Sequence, residues 1–261
     1  MHTQPNNAIA IVSGASGGIG AAVAAELARR GYRLVLMGRD LRKLENVRAA
    51  VAAGGGLIER VMAVDFADAD AVADAAAQLA AHSPQVLVNN AGYGVFVPFL
   101  ELSMSEHQRM IQVNYLAAAA LIHAVLPGMV RRRGGCIINV ASIAAKIGPW
   151  GHSAYAAGKS AMLTLTYALD AEYRSQGVRC SCLHPGIVDT PFFAGHGYEK
   201  LAGKIAKFRV PPQRVARAVG RLLDHPRVET YCPWHYRIVA LLNELCPPLV
   251  RRVIARSGAA E

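Results

Sequence analysis

Apolar residues along this chain gather in short continuous runs, separated by longer stretches of helical period. The runs are Ala8–Ser13, Arg33–Met37, Leu57–Val64, Gln85–Asn89, Cys136–Ala141 and Val178–Leu183, each followed by a segment such as Ala21–Arg30 or Ala69–Ala81 with helical spacing. Strand-then-helix units repeated in this way predict a parallel sheet. A strand that is apolar at every position, rather than at alternate ones, is covered on both faces. The pattern therefore predicts an α/β fold: a doubly wound, Rossmann-type parallel sheet between two layers of helices. Asp40 precedes Leu41, Leu44 and Val47 as an N-cap, and Ser103 with Glu106 forms a capping box before a long helix ending near Pro127.

After Pro191 the rhythm changes. A Gly- and Lys-rich stretch runs to Lys207, then a helix near Gln213–Leu223 and a Trp- and Pro-containing tail, with no further strand-helix unit. No linker-like composition divides the chain. It reads as a single domain over 1–261, with a core over 8–195 and a helical C-terminal extension, 196–261, that supplies a substrate-side segment and a basic amphipathic tail.

A chain of 261 residues that is 53% hydrophobic and 18% charged is neither disordered nor a charge-driven coiled coil. Its five cysteines contain no CxxC pair and no Cys/His cluster of zinc type, which points to a reducing compartment and no metal site. Cys180 and Cys182, two apart on a strand, point to one face and read as buried thiols. Residues 1–12 lack the basic and apolar regions of a signal peptide, so a cytoplasmic location is expected. The run Val113–Val130 has the length of a membrane span, but Asn114, His123 and Pro127-Gly128 make it a buried helix. Net charge is +10, and from Glu199 onward twelve Lys/Arg stand against five Asp/Glu. Such a basic region suits an anionic ligand, lipid surface or nucleic acid; no nucleic-acid recognition motif accompanies it, and no nucleic-acid partner is expected.

The most informative segment is Ser13-Gly14-Ala15-Ser16-Gly17-Gly18-Ile19-Gly20, which follows the first strand and opens the first helix. Glycines there let the backbone approach a pyrophosphate, and the helix N-terminus offers free N–H groups at the positive end of its dipole. Tyr155 and Lys159, four apart, share one helix face. A nearby ammonium favours the phenolate, so Lys159 is expected to lower the Tyr155 pKa and bring it into range for proton transfer. Ser142 stands at the end of the fifth strand, on the edge where doubly wound sheets bind ligands, and can donate to a carbonyl oxygen.

These stretches, with Asn89-Asn90-Ala91-Gly92, Asn114, Pro185-Gly186 and Thr190 in the same order, resemble the classical short-chain dehydrogenase/reductase (SDR) family over about residues 8 to 195. The resemblance implies a nicotinamide-dependent oxidoreductase with Asn114, Ser142, Tyr155 and Lys159 as catalytic residues. Asn114 would hold a water that relays protons to Lys159, and Lys159 would also hold the nicotinamide ribose. It places the dinucleotide against Gly14, Ser16, Gly18, Ile19 and Gly20, against Asp65 and Phe66, and against Asn90, Ala91 and Gly92. Tyr155, Lys159, Pro185, Gly186, Val188 and Thr190 complete that set. Asp65 either meets the adenine or caps the following helix. A homo-oligomer, dimer or tetramer, is also implied.

Position 38, at the end of the second strand, is Gly rather than an acid, and Arg39 follows. With Ser16 this favours a 2′-phosphate and hence NADP(H), NAD(H) remaining open because of Asp40; the place of Asp40 before a helix argues for capping. Tyr93, Val95, Phe96, Phe99, Ile143, Ile147, Trp150, Phe192, Phe193 and Tyr198 border the expected substrate region. They suit a bulky hydrophobic carbonyl or alcohol, steroid-, retinoid- or acyl-like. Gly195, Gly197 and Gly203 among Lys200, Lys204 and Lys207 suggest a mobile cover. In the tail, the apolar stripe of Ile238, Leu241, Leu242 and Leu245 and the arginines beyond it fit a peripheral membrane contact, a subunit contact or packing on the chain's own core. The competing function class is a non-catalytic NADP-binding redox sensor or scaffold on the same fold.

Overall fold

The computed structural model describes residues 8–80, 82–194, 197–198, 203 and 206–258. Seven strands, β1 (Ile9–Ser13), β2 (Arg33–Gly38), β3 (Leu57–Ala63), β4 (Val86–Asn89), β5 (Gly135–Val140), β6 (Val178–Pro185) and β7 (Glu229–Cys232), form one sheet in the order β3-β2-β1-β4-β5-β6-β7. Every neighbouring pair is parallel. The helices are α1 (Gly18–Arg29), α2 (Leu41–Ala53), α3 (Ala69–Ala80), α4 (Met104–Ile111), α5 (Ala117–Arg131), α6 (Ala144–Ile147), α7 (Ser153–Tyr173), α8 (Pro212–Asp224), α9 (Tyr236–Leu245) and α10 (Pro247–Gly258).

Alternate side chains of the strands enter two cores. Ala10, Val12, Leu34 and Leu36 pack against α1, α2 and α8. Ile11, Val35, Met37 and Leu87 pack against α3, α5 and α7 on the other side. Burial on both faces is why the central strands carry no polar alternation, and it gives the three layers expected. β1 has β2 on one side and β4 on the other, so the winding reverses there and the loops after β1 and β4 open away from each other. That crevice positions the site.

Two expectations are corrected. A seventh strand, β7, follows the sixth, because parallel pairing with β6 recruits a Glu-Thr-Tyr-Cys segment with no apolar run of its own. The long helix does not end at Pro127 but continues to Arg131. Pro127 and His123 are both exposed, so the carbonyl that loses its partner faces water, while Val125, Leu126 and Met129 keep the helix on the core. Helix Met104–Arg131, with a π-helical turn at Gln112–Leu116, is long and apolar enough to cross a membrane, but 56% of its apolar window is buried inside the protein.

Local capping follows the sequence elsewhere. Asp40 accepts from the Lys43 amide at 3.0 Å, and Ser103 accepts from the Glu106 amide at 3.2 Å. The Glu106 carboxylate does not complete the box; it accepts the Tyr93 hydroxyl at 2.7 Å. Of the Gly- and Lys-rich segment, Gly195, Lys200 and Lys204 lie outside the described residues. Cys180 and Cys182 are buried free thiols.

Candidate active site

The glycine loop is braced from β4. Asn90 Nδ2 donates to the carbonyls of Ser13 and Gly14, both at 3.1 Å, and the buried Ser13 hydroxyl accepts the amides of Asn90 and Ala91. Gly14 has φ +65°, and a Cβ on Gly20 would lie 2.0 Å from the Gly14 carbonyl oxygen, so the turn closes only with glycine at both places. Gly20 is thus a packing residue rather than a ligand-facing one. Gly17 caps α1 without any side-chain hydrogen bond, leaving the amides of the first turn free, and Gly17, Gly18 and Ile19 line a cleft of about 610 Å³. An uncapped helix start opening on a cavity is a fit for a diphosphate.

The same cleft is lined by Asn90, Ala91 and Gly92, by Ser142, Tyr155 and Lys159, and by Pro185, Gly186, Val188 and Thr190. Tyr155 and Lys159 are both buried on α7, with Lys159 Nζ 5.8 Å from the centre of the Tyr155 ring. Ser142, just after β5, stands close enough to Tyr155 to pull its pKa down. Lys159 Nζ donates to the Val140 carbonyl at 3.0 Å. Asn114, in the π-helical turn, uses Nδ2 to reach the carbonyls of Tyr93 and Met110 at 2.8 and 3.0 Å, while its buried Oδ1 has no partner among the described residues. A Cβ on Gly92 would sit 2.6 Å from that Oδ1 and 2.9 Å from Lys159 Nζ. The absent side chain therefore leaves a gap lined by an orphan acceptor and an ammonium donor, the setting in which a bridging water is held.

The electrostatics differ from expectation. Burial pushes the Tyr155 phenol up to about 12, against an opposing pull from the neighbouring Ser142. Burial also pushes the Lys159 ammonium down to about 8. In the chain alone desolvation sets the direction of both shifts, opposite to the depression of the phenol that was expected.

A family model for short chain dehydrogenase matches residues 8–199. The chain belongs to this family. That membership makes it an oxidoreductase of the alcohol and carbonyl class. It is 31% identical over 240 residues to a Myxococcus xanthus protein described as an uncharacterized oxidoreductase, covering 91% of this chain and 92% of that one. Against mycobacterial oxidoreductases it spans 56% of their length. Among solved structures, a metagenomic short-chain oxidoreductase in complex with NADP is 34% identical, with a TM-score of 0.74 over 88% of this chain and 98% of that one. A short-chain dehydrogenase from Sphingobium yanoikuyae in complex with NADPH is 27% identical, with a TM-score of 0.81 over 90% and 92%.

Within this short chain dehydrogenase, several expected ligand-facing residues lie elsewhere. The Phe66 side chain is in the core beside α3. Asp65 accepts the Ala67 amide at 3.0 Å and does not cap α3; Asp68 does, through the amides of Asp70 and Ala71. Arg39 is exposed and stands outside the cleft wall, whereas Lys43, one turn into α2, is part of it and pairs with Asp40 at 3.6 Å. Asp40 is thereby occupied as a cap. Ser16 packs beside Gly38, where an added Cβ would meet its Oγ at 3.2 Å.

The far end of the cleft is apolar and aromatic. Ile143, Ile147, Phe192, Phe193 and Tyr198 line it, while Phe96 and Trp150 stand behind as an edge-on pair 5.2 Å apart. Tyr93, Val95 and Phe99 do not reach the wall. His152 and Tyr236, which no sequence motif marks, do. Burial lowers the His152 pKa, favouring the neutral ring. Tyr198 is fully buried, and its hydroxyl has no partner among the described residues, so a phenolic donor stands ready at the substrate end.

Proposed function

We propose that this chain interconverts a carbonyl and a secondary alcohol on a bulky, largely apolar substrate with NADP(H). The observation that carries the reading is the convergence of Ser142, Tyr155 and Lys159 on the same cleft as the uncapped start of α1.

The amides of Gly18 and Ile19 would hold the pyrophosphate, and Asn90, Ala91 and Gly92 would border the ribose and nicotinamide with Pro185, Gly186, Val188 and Thr190 opposite. Ser16, Lys43 and Arg39 would surround the 2′-phosphate, in the absence of any acid at position 38. When bound, the nicotinamide supplies hydride to the carbonyl carbon or takes it from the alcohol. Tyr155 Oη gives its proton to the reacting oxygen in reduction and takes one back in oxidation. Burial keeps the phenol protonated at neutral pH, the form a donor needs. Ser142 Oγ directs the substrate oxygen toward Tyr155, and Lys159, with Asn114 behind it, restores the proton. The Tyr198 hydroxyl is available to a polar group of the substrate. A non-catalytic sensor would have no use for a hydroxyl pair in contact with the cleft. A cytoplasmic, self-associating protein remains part of this proposal.

The test is NADPH and NADH oxidation over a panel of steroid, retinoid, acyl and small polar carbonyls. Turnover with NADPH on the larger apolar compounds is expected. Preference for small sugars would overturn the substrate class, and preference for NADH would overturn the cofactor assignment.

A further inference from the structure

The C-terminal helices carry their apolar side chains on the wrong side for a water-facing element. On α9 the inward face holds Tyr236, which lines the cleft, the buried Ala240, and Asn243, whose Nδ2 donates to the Lys146 carbonyl at 2.9 Å. The outward face holds Ile238, Leu241, Leu242 and Leu245, exposed by 49%, 43%, 43% and 82%. At about 100° per residue these four lie within roughly 100° of arc, so no polar residue interrupts the stripe. Trp234, just before the helix, is 70% exposed. α10 makes its substantial contacts with α9, and Leu249 and Val253 are exposed together with Arg252, which lies about 60° round the helix from Leu249, and Arg251 farther round. A helix of twelve residues is marginal in water unless its apolar face is covered.

We infer that the outward face of α9 and α10 is a docking surface for an anionic lipid bilayer. Charge decides between the two apolar coverings that would satisfy it. A second copy would bring Arg251 and Arg252 toward another +10 chain, whereas a bilayer bearing anionic headgroups pairs them and leaves Trp234 at the headgroup level. Because Tyr236 lines the cleft from the other face of α9, the surface would bring the substrate end of the cleft close to a source of apolar substrate. That last consequence rests on the proposed function; the docking itself does not.

The experiment is flotation of the full chain with phosphatidylcholine vesicles, and with vesicles containing phosphatidylglycerol, at low and high salt, without cofactor or substrate. Two variants accompany it, Leu242→Glu/Leu245→Glu and Arg251→Ser/Arg252→Ser, each checked for an unchanged thermal unfolding midpoint. Co-flotation with anionic vesicles at low salt is expected, weakened about thirtyfold by loss of the two arginines and at least about tenfold by the glutamates. No flotation, equal flotation with neutral vesicles, or undiminished flotation of both variants overturns the proposal. So does a dimer in sedimentation that the glutamates split and that binds no vesicle, which would assign the face to a second copy. Failure of the reaction leaves the flotation result untouched, so the two readings fail separately.

Discussion

His184 Nε2 lies 3.1 Å from Glu229 Oε1, while His184 Nδ1 lies 2.9 Å from the backbone oxygen of Ser142. A fully buried imidazole thus ties β7 to the residue that would orient the substrate. Glu229 also accepts the hydroxyls of Tyr167 and Tyr231, each at 2.6 Å, and faces Lys146 Nζ at 3.6 Å. Burial alone would lower the His184 pKa, but the neighbouring Cys182 and Glu229 outweigh it and raise the pKa to about 9. Burial likewise opposes ionisation of Glu229, and the His184 imidazolium with the hydroxyls of Tyr167 and Tyr231 overrides it and holds the carboxyl well below its ordinary range.

Glu229→Gln should therefore remove the counter-charge that keeps the buried His184 protonated and cost about 3 kcal/mol of stability. The pair also predicts a pH signature. The raised His184 pKa contributes stability that is complete below its unfolded value of about 6.5 and is lost as pH rises through about 9. The depressed Glu229 pKa contributes stability that is present above about 4.3 in the unfolded reference and is lost in acid. Urea unfolding at a series of pH values should show the parent weakening from neutral toward pH 10, and the Gln variant lower and flatter. A parent curve with no decline there would remove the ion pair from the account.

Tyr155→Phe keeps the ring and loses the proton donor. Turnover of the best carbonyl substrate should fall by about 10³-fold, while dinucleotide affinity, by fluorescence titration, stays within about twofold of the parent. Retained turnover would contradict the assignment of Tyr155 as acid and base.

Gly92→Ala fills the space between Asn114 Oδ1 and Lys159 Nζ. Displacing these groups should lower kcat by about 10²-fold, with little change in the thermal midpoint. An alanine enzyme with parental kcat would show that the gap plays no part in proton delivery.

Arg39→Ala and Lys43→Ala separate the exposed cation outside the cleft wall from the one that is part of it. Each should weaken NADPH binding by about tenfold or more, as the loss of a charge-assisted hydrogen bond predicts, and leave NADH within about twofold. Isothermal titration decides. Parental NADPH affinity in Arg39→Ala would transfer the 2′-phosphate role to Lys43 and Ser16.

Much of this molecule is written locally. Six strands, the start of α2 at Asp40 and of α4 at Ser103, the glycine loop and the shared face of Tyr155 and Lys159 follow from spacing, because helix and strand periods and caps depend on residues a few positions apart. The rest depends on segments distant along the chain. β7 exists because β6 offers it an edge, and Glu229 acquires its meaning only from His184, Tyr167 and Lys146 on three other elements. Lys43, His152, Tyr236 and the orphan hydroxyl of Tyr198 reach the cleft through the packing of helices and loops, while Phe66 turns into the core. The direction of the Tyr155 pKa was likewise invisible in the spacing of Tyr155 and Lys159. A four-residue interval establishes that the two groups are neighbours, but how far each is stripped of water is set by everything folded around them, and there desolvation set the direction of both shifts.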